Sequence, residues 1–314
     1  MHLFSENAHN NILRVKKQCE FSLLKDLNLE LGTSYSTYSP LMCSIGKWNE
    51  FHRENLFEIL PSQKLFKFIT DSKLLSKLEE ILTSNDSTTP LDYIVDKENS
   101  SICFTNNNNS IQETEFINLI SSASDIINRS DPLLFSLYSR MISYIFPIFH
   151  TSGENSFTAF STYRMMDSIF ISPNIYSSQY PEIDYGIHLI HELGHQILYI
   201  WQTYDPLILN SHNTSAYSGV RKTYRPALAS LHSAVALDFM LKLCHSMQNS
   251  NIFLSTENKY VAHKIEEFSP SLKQNLDSIL ECCSLTQKGR SILSEIFLLI
   301  NNNTNLTFQY RNAL

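Results

Sequence analysis

The stretch Tyr185–Trp201, YGIHLIHELGHQILYIW, decides how the chain is read. Ile187, Leu189, Ile190, Leu193, Ile197, Leu198 and Ile200 recur at helical spacing. Pro181 stands just upstream, where a first-turn proline gives up no intrahelical hydrogen bond. The spacing predicts an apolar helix, and on it His191-Glu192-Leu193-Gly194-His195 forms an H-E-x-x-H pattern. Residues four apart share a helix face, so both imidazoles can converge on one divalent cation. Glu192 lies about 100° round the axis, beside that cation, where hydrolytic enzymes place a general base. Two imidazoles and a carboxylate are costly to bury on so apolar a helix unless something binds them. His188 shares the face of His191 and His195, either as a core histidine or as a further ligand. Three ligands in line on one straight helix cannot surround a single ion.

Composition narrows the partners. A net charge of −7 leaves no basic surplus to neutralise phosphates, which excludes a nucleic-acid binder of the usual kind. No uninterrupted apolar run approaches the roughly 20 residues that span a bilayer, so no membrane partner is expected. Cys19, Cys43, Cys103, Cys244, Cys282 and Cys283 show neither C-x-x-C nor a disulfide-framework spacing, and the N-terminal stretch lacks a signal-peptide pattern. The expectation is a reducing cytoplasm.

The rest of the chain reads as mainly α, with some β: a multi-helix domain with a small antiparallel sheet or hairpin beside the His-Glu helix. Helical patterns run over 7–31, 41–60, 65–82, 112–128 and 132–148, the last opened by the capping pair Ser130-Asp131. A polar interval over 84–109 holds 91–95 and 102–105, which form either a small hairpin or a loop. Residues 157–163 and 167–172 are rich in aromatic, β-branched and hydroxyl side chains and read as two strands. They either line a cleft wall or simply support it. A loop covers 203–224, and Arg225-Pro226 opens a long helix to about Cys244. Helical patterns follow at 259–268, 272–283 and 288–300. The softest boundary divides an N-terminal helical region, 1–110, peptide-binding or structural, from a metal-binding catalytic region, 111–314, the two forming one compact unit overall.

A mononuclear site needs a third protein ligand. In the pattern H-E-x-x-H-x-x-G-x-x-H the last two positions would fall on Leu198 and Trp201, which excludes that zinc-peptidase type. No glutamate occurs between Glu192 and Glu257, which disfavours a type that takes its ligand from a later helix. His212 lies in the polar loop NSHNTS, and His245, at the end of the long helix, suits the dipole there. His232 sits mid-helix among small and apolar residues and needs a partner that a metal can supply. Arg225 stands two turns before it and Arg221 precedes both. Three protein ligands with arginines nearby suit a metal that also holds an anionic co-ligand, favouring iron with open positions over hydrolytic zinc.

The segments Ser161-Thr-Tyr-Arg164, Ile169–Ser172, His188–His195, Pro206-Leu207, Arg221, Arg225-Pro226 and Leu231-His232 resemble the 2-oxoglutarate-dependent HExxH-type peptide β-hydroxylases of bacterial peptide-modification clusters. The resemblance covers roughly 156–243, with a weaker echo at Leu285-Thr286 and Gly289. Ser233 stands where that family often has glycine. It implies a non-haem Fe(II) dioxygenase that uses O2 and 2-oxoglutarate to hydroxylate a β-carbon of a ribosomally made precursor peptide, alongside partner biosynthetic enzymes. His191, His195 and His232 would hold iron, Arg225 or Arg221 would pair with the distal carboxylate of 2-oxoglutarate, and Arg164 and Ser161 would wall the pocket. Glu192 would orient a ligand or water. The competing expectation is a zinc-dependent metallopeptidase in which Glu192 is the general base.

Overall fold

The computed structural model describes residues 5–31, 67–68, 102–103, 113–147, 149–150, 159–162, 166–172 and 178–303. In chain order the elements are α1 (Glu6–Leu31), β1 (Lys67–Phe68), β2 (Ile102–Cys103), α2 (Glu113–Ser130), α3 (Pro132–Met141), β3 (Tyr144–Pro147), β4 (Phe149–His150), β5 (Ala159–Phe160) and β6 (Ser168–Ile171). Then come α4 (Pro181–Gln202), a 3-10 turn (Ser211–Asn213), β7 (Ser215–Ser218), β8 (Thr223–Pro226), α5 (Ala227–Asn249), α6 (Ser255–Cys282) and α7 (Gln287–Asn303). The chain is mainly helical with small sheets, as its periodicity predicts. Contacts divide it into two compact units, one comprising Met1–Ile12, Leu119–Tyr138 and Ser177–Leu314, the other Leu13–Asn118 and Ser139–Tyr176.

The second unit holds a four-stranded sheet in the order β1-β3-β6-β5. The two strands expected over 157–163 and 167–172 are there, shorter than drawn, and β5 pairs antiparallel with β6. β1, β3 and β6 run parallel, so the sheet is mixed. Phe160, Phe170 and Phe146 stack across neighbouring strands at 4.5 and 5.0 Å between ring centroids, a cross-strand arrangement that favours this register. The buried Lys16 ammonium lies 2.9 Å from Asp167 and donates to the Arg140 carbonyl at 3.0 Å. Burial still lifts the Asp167 carboxyl to about 6.

Several boundaries differ from the periodicity. The helix expected over 132–148 ends at Met141. Tyr144–Pro147 is a strand with both faces buried, and such an apolar run reads equally as strand or buried helix. Lys67–Phe68 is a strand inside the stretch expected to be helical over 65–82. Ile102–Cys103 pairs antiparallel with Phe149–His150. The helix expected over 41–60 and the segment 91–95 lie outside the described residues.

The first unit is built on α4, α5 and α6. Pro181 opens α4 as its position predicts, with Glu182 and Asp184 in the first turn where negative charge suits the helix dipole. Asp131 caps α3 through the Leu134 N–H at 3.0 Å and also accepts from Ser246 on α5 at 2.9 Å. By length and hydropathy α5 could cross a bilayer, but most of its apolar window is buried inside the structure, where it packs against α4 and α6. The α4–α5 approach depends on Gly194: a Cβ there would stand 3.0 Å from the Ala236 Cα. α6 runs unbroken through Pro270, where the sequence suggests two pieces. Leu272, Leu276 and Ile279 continue its buried stripe, and that packing outweighs the hydrogen bond a proline removes.

The β7–β8 hairpin covers the end of the stretch 203–224 expected to be loop and also Arg225-Pro226, expected to open the long helix, which starts instead at Ala227. Its turn comes so close to α6 that a Cβ on Gly219 would collide with the Ser271 backbone. The Gly219 N–H donates to the Asn275 side chain, and the Tyr217 N–H donates to Ser278 Oγ at 2.7 Å. Upstream, residues 205–210 are held by the link between α6 and α7. Thr286 Oγ1 donates to Asp205 at 2.6 Å, the Thr286 N–H to the Leu207 carbonyl at 3.0 Å, and the Leu209 N–H to the Ser284 carbonyl at 2.7 Å.

Candidate metal centre

α4 carries His191, Glu192 and His195 at the spacing its period dictates, and α5 crosses it at Gly194–Ala236, one turn from His232. The result is a line of imidazoles across two helices. His191 Nε2 lies 3.0 Å from His195 Nε2, and His195 Nδ1 lies 3.2 Å from His232 Nδ1. The ends of the line are held as well. His191 Nδ1 lies 3.0 Å from the Met240 thioether, and His232 Nε2 lies 3.1 Å from Gln202 Oε1. Tyr199 covers the His232 ring at 4.5 Å between centroids. His232, the residue chosen from sequence as the third ligand, therefore adjoins the pair on α4.

Glu192 is buried, with Oε1 3.7 Å from His191 Nε2. The ligand atoms of His191, Glu192 and His195 all fall within 4.8 Å of one another. His232 joins on the opposite side of the His195 ring, so His195 faces each neighbour with a different nitrogen.

Electrostatics keep the rings neutral. Burial pushes the His191 and His195 pKa values well below the ordinary value, and it lowers His232 to about 3. Neighbouring imidazoles add to the effect on His191 and His195, and so do two guanidiniums: Arg221 acts on His191 and Arg225 on His195. Burial, then Arg221, lower the Arg225 pKa in turn. The hairpin thus brings two positive charges to bear on His191 and His195. His188 is lowered to about 4 by burial, against the pull of Asp184; Asp184 itself receives the Tyr260 hydroxyl at 2.7 Å.

These residues fit a divalent first-row metal. Neutral imidazole is the ligating form. The 3.0 Å between His191 Nε2 and His195 Nε2 matches the roughly 3.0–3.4 Å between adjacent ligands that each stand about 2.1 Å from one ion, with the Glu192 carboxylate in the same group. His232 meets the other nitrogen of His195, so the three imidazoles do not aim at one point in this arrangement. Gln202 and Met240 occupy the place of the outer groups that orient metal-bound histidines.

Of the other residues singled out from sequence, Ser161 is buried after β5 in the second unit, and Arg164 lies outside the described residues. His245 stands a turn short of the helix end, since α5 continues to Asn249. Gln202 and Met240 were not anticipated. Gln202 follows His195 by two turns on the same stripe and was legible from that spacing, whereas Met240 reads as ordinary core. No protein-family model matches the chain, and no curated protein matches it.

Proposed function

We propose that the chain is a non-haem Fe(II)/2-oxoglutarate-dependent β-hydroxylase acting on a residue of a ribosomally synthesised precursor peptide. The observation that carries this reading is the cluster of three neutral imidazoles from two helices, with two arginines whose charges reach His191 and His195. A dication beside two guanidiniums calls for an anionic co-ligand, and 2-oxoglutarate is a dianion with a metal-chelating end and a distal carboxylate. When bound, iron with 2-oxoglutarate and O2 supplies the oxidising power for C–H hydroxylation, with succinate and CO2 as co-products.

The chain's own residues bind and orient. In this reading His191, His195 and His232 hold the metal, which requires the His195 and His232 rings to turn so that one nitrogen of each faces the ion; Met240 and Gln202 orient the outer two rings, and the half-buried Arg225 takes the distal carboxylate with Arg221 beside it. Glu192 steadies His191 from within the helix. The resemblance in the H-E-x-x-H and R-P-x-x-x-x-x-H segments supports the same assignment. The test is anaerobic addition of Fe(II) and 2-oxoglutarate, which should raise a visible charge-transfer band. Arg225→Gln should weaken 2-oxoglutarate binding while leaving iron binding intact. Iron-loaded protein that gives no band would refute the reading.

One observation favours a second reading, a zinc metallopeptidase: the Glu192 carboxylate shares the space of the two α4 histidines, where a general base would stand. Glu192→Gln separates the two. A peptidase should lose about 10²–10⁴-fold in turnover, whereas the hydroxylase should keep its charge-transfer band and continue to make succinate.

A further inference from the structure

The β7–β8 hairpin brings Arg221 and Arg225 to the histidines, but its outward side serves no purpose in that chemistry. Its register pairs Ser215 with Pro226, Ala216 with Arg225, Tyr217 with Tyr224 and Ser218 with Thr223. The Ala227 N–H donates to the Thr214 carbonyl at 2.9 Å, which continues this register by one position. In an antiparallel ladder, hydrogen-bonded and non-hydrogen-bonded pairs alternate. Ala216–Arg225 and Ser218–Thr223 are then the bonded pairs, and Tyr217 and Tyr224 turn their main-chain groups away from each other. The bond from the Tyr217 N–H to Ser278 Oγ agrees with this.

The two edges of the hairpin therefore differ. On β7, α6 covers the edge through Ser278 and Asn275. On β8, no strand pairs with the edge among the described residues, and Tyr224 is 67% exposed. Side chains alternate across the same strands. Arg225 shares a face with the buried Ala216 and Ser218, while Tyr224 shares the other face with Tyr217, their rings edge-on at 5.6 Å. At the tip Val220, Arg221 and Lys222 are exposed, and Lys222 holds a left-handed backbone (φ 52°). No acidic residue occurs between Asp205 and Asp238, in a chain whose net charge is −7. The hairpin is a basic, aromatic-faced edge on an otherwise acidic protein.

We propose that the open edge of β8, centred on Tyr224 between Lys222 and Arg225, is the docking strand for an extended acidic segment of the peptide substrate. An added strand would exchange two main-chain hydrogen bonds with Tyr224, set an acidic side chain against Lys222, and lay an apolar one on the Tyr217–Tyr224 face. A peptide held there runs beside the strand that carries Arg225, which brings its neighbouring residues toward the histidines. The inference rests on the peptide-substrate reading above, but its test does not require turnover.

The test is fluorescence anisotropy on the full chain loaded with Zn(II). The probe is a fluorescein-labelled nonapeptide of alternating Glu and Val with a central Phe, and a second probe carries Lys for Glu. The acidic probe should bind and weaken as salt rises, and the Lys probe should bind at least ~10-fold more weakly. Lys222→Glu should cost about tenfold by charge reversal, and Tyr224→Pro about as much by removing the outward N–H, a change that edge strands tolerate. Failure of the acidic probe to bind protein that still forms the iron–2-oxoglutarate band would overturn the docking strand alone. Binding without that band would support the docking strand and sink the hydroxylase reading alone. Equal affinity for inorganic polyphosphate, undiminished in Tyr224→Pro, would show an indiscriminate anion surface and also overturn the proposal.

Discussion

His195 presents Nε2 to His191 and Nδ1 to His232, so a single ring joins the two helices. Replacing either end of the line has a separable consequence. His232→Ala should reduce affinity for Co(II) or Zn(II) by at least ~100-fold, measured by competition with a chromophoric chelator, because it removes a ligand outright. Gln202→Leu should cost ~10–100-fold, the usual range for losing a partner that orients a ligand. His245→Ala should leave affinity unchanged, and equal losses in all three would refute the ligand choice. At this scale the sequence was informative wherever chemistry needs a rare side chain. His191 and His195 follow from helical spacing, and His232 from being a polar residue stranded among Ala and Leu. Met240 was not legible, because a methionine on an apolar helix looks the same whether it packs or orients an imidazole.

α4 and α5 come together through a backbone approach that leaves no room for a side chain at Gly194. Gly194→Val should therefore lower stability by ~1–3 kcal/mol through overpacking and weaken metal binding as well, because it drives His195 and His232 apart. Gly186 supplies the control: a Cβ there meets only ordinary contacts, none nearer than 3.6 Å. Gly186→Ala should be neutral or stabilising by up to ~1 kcal/mol from helix propensity. Urea unfolding monitored by circular dichroism reads both. Long helices were legible because their apolar stripes repeat over many turns, as in α1, α2, α4 and α5. The β7–β8 hairpin was not, since SAYS and TYRP are too short and too polar to show alternation. What fixes them is contact with Asn275 and Ser278, some 60 residues downstream. Pro270 misleads in the opposite sense, because a local breaker sits in a helix whose buried face continues past it.

For the chain as a whole, buried titratable groups set opposing pH limits. His188 and His232 titrate at about 4 and about 3 when folded, against ~6.5 in an unfolded chain. The unfolded state binds the extra protons in that interval, so stability falls as pH drops below about 6.5. Asp238, on α5, is raised to about 8 by burial and the nearby Glu295, against the pull of Lys242. There the folded state holds the extra proton, so this contribution is present at low pH and is lost as pH climbs from about 4 to 8. Metal-stripped protein should accordingly melt at its highest temperature near pH ~6.5. Asp238→Asn should flatten the alkaline descent and steepen the acid limb between about pH 4 and 6.5, as differential scanning calorimetry across a pH series would show. An unchanged alkaline limb would remove Asp238 from the account. The bonds from Asp205, Leu207 and Leu209 to Ser284 and Thr286 carry a consequence of another kind. A stop codon just past Cys283 would spare every histidine and arginine discussed above, yet it would cut the tether of the segment leading to them. In a genetic screen such a truncation would pass for an active-centre lesion, with its cause lying far downstream of His232 in the chain.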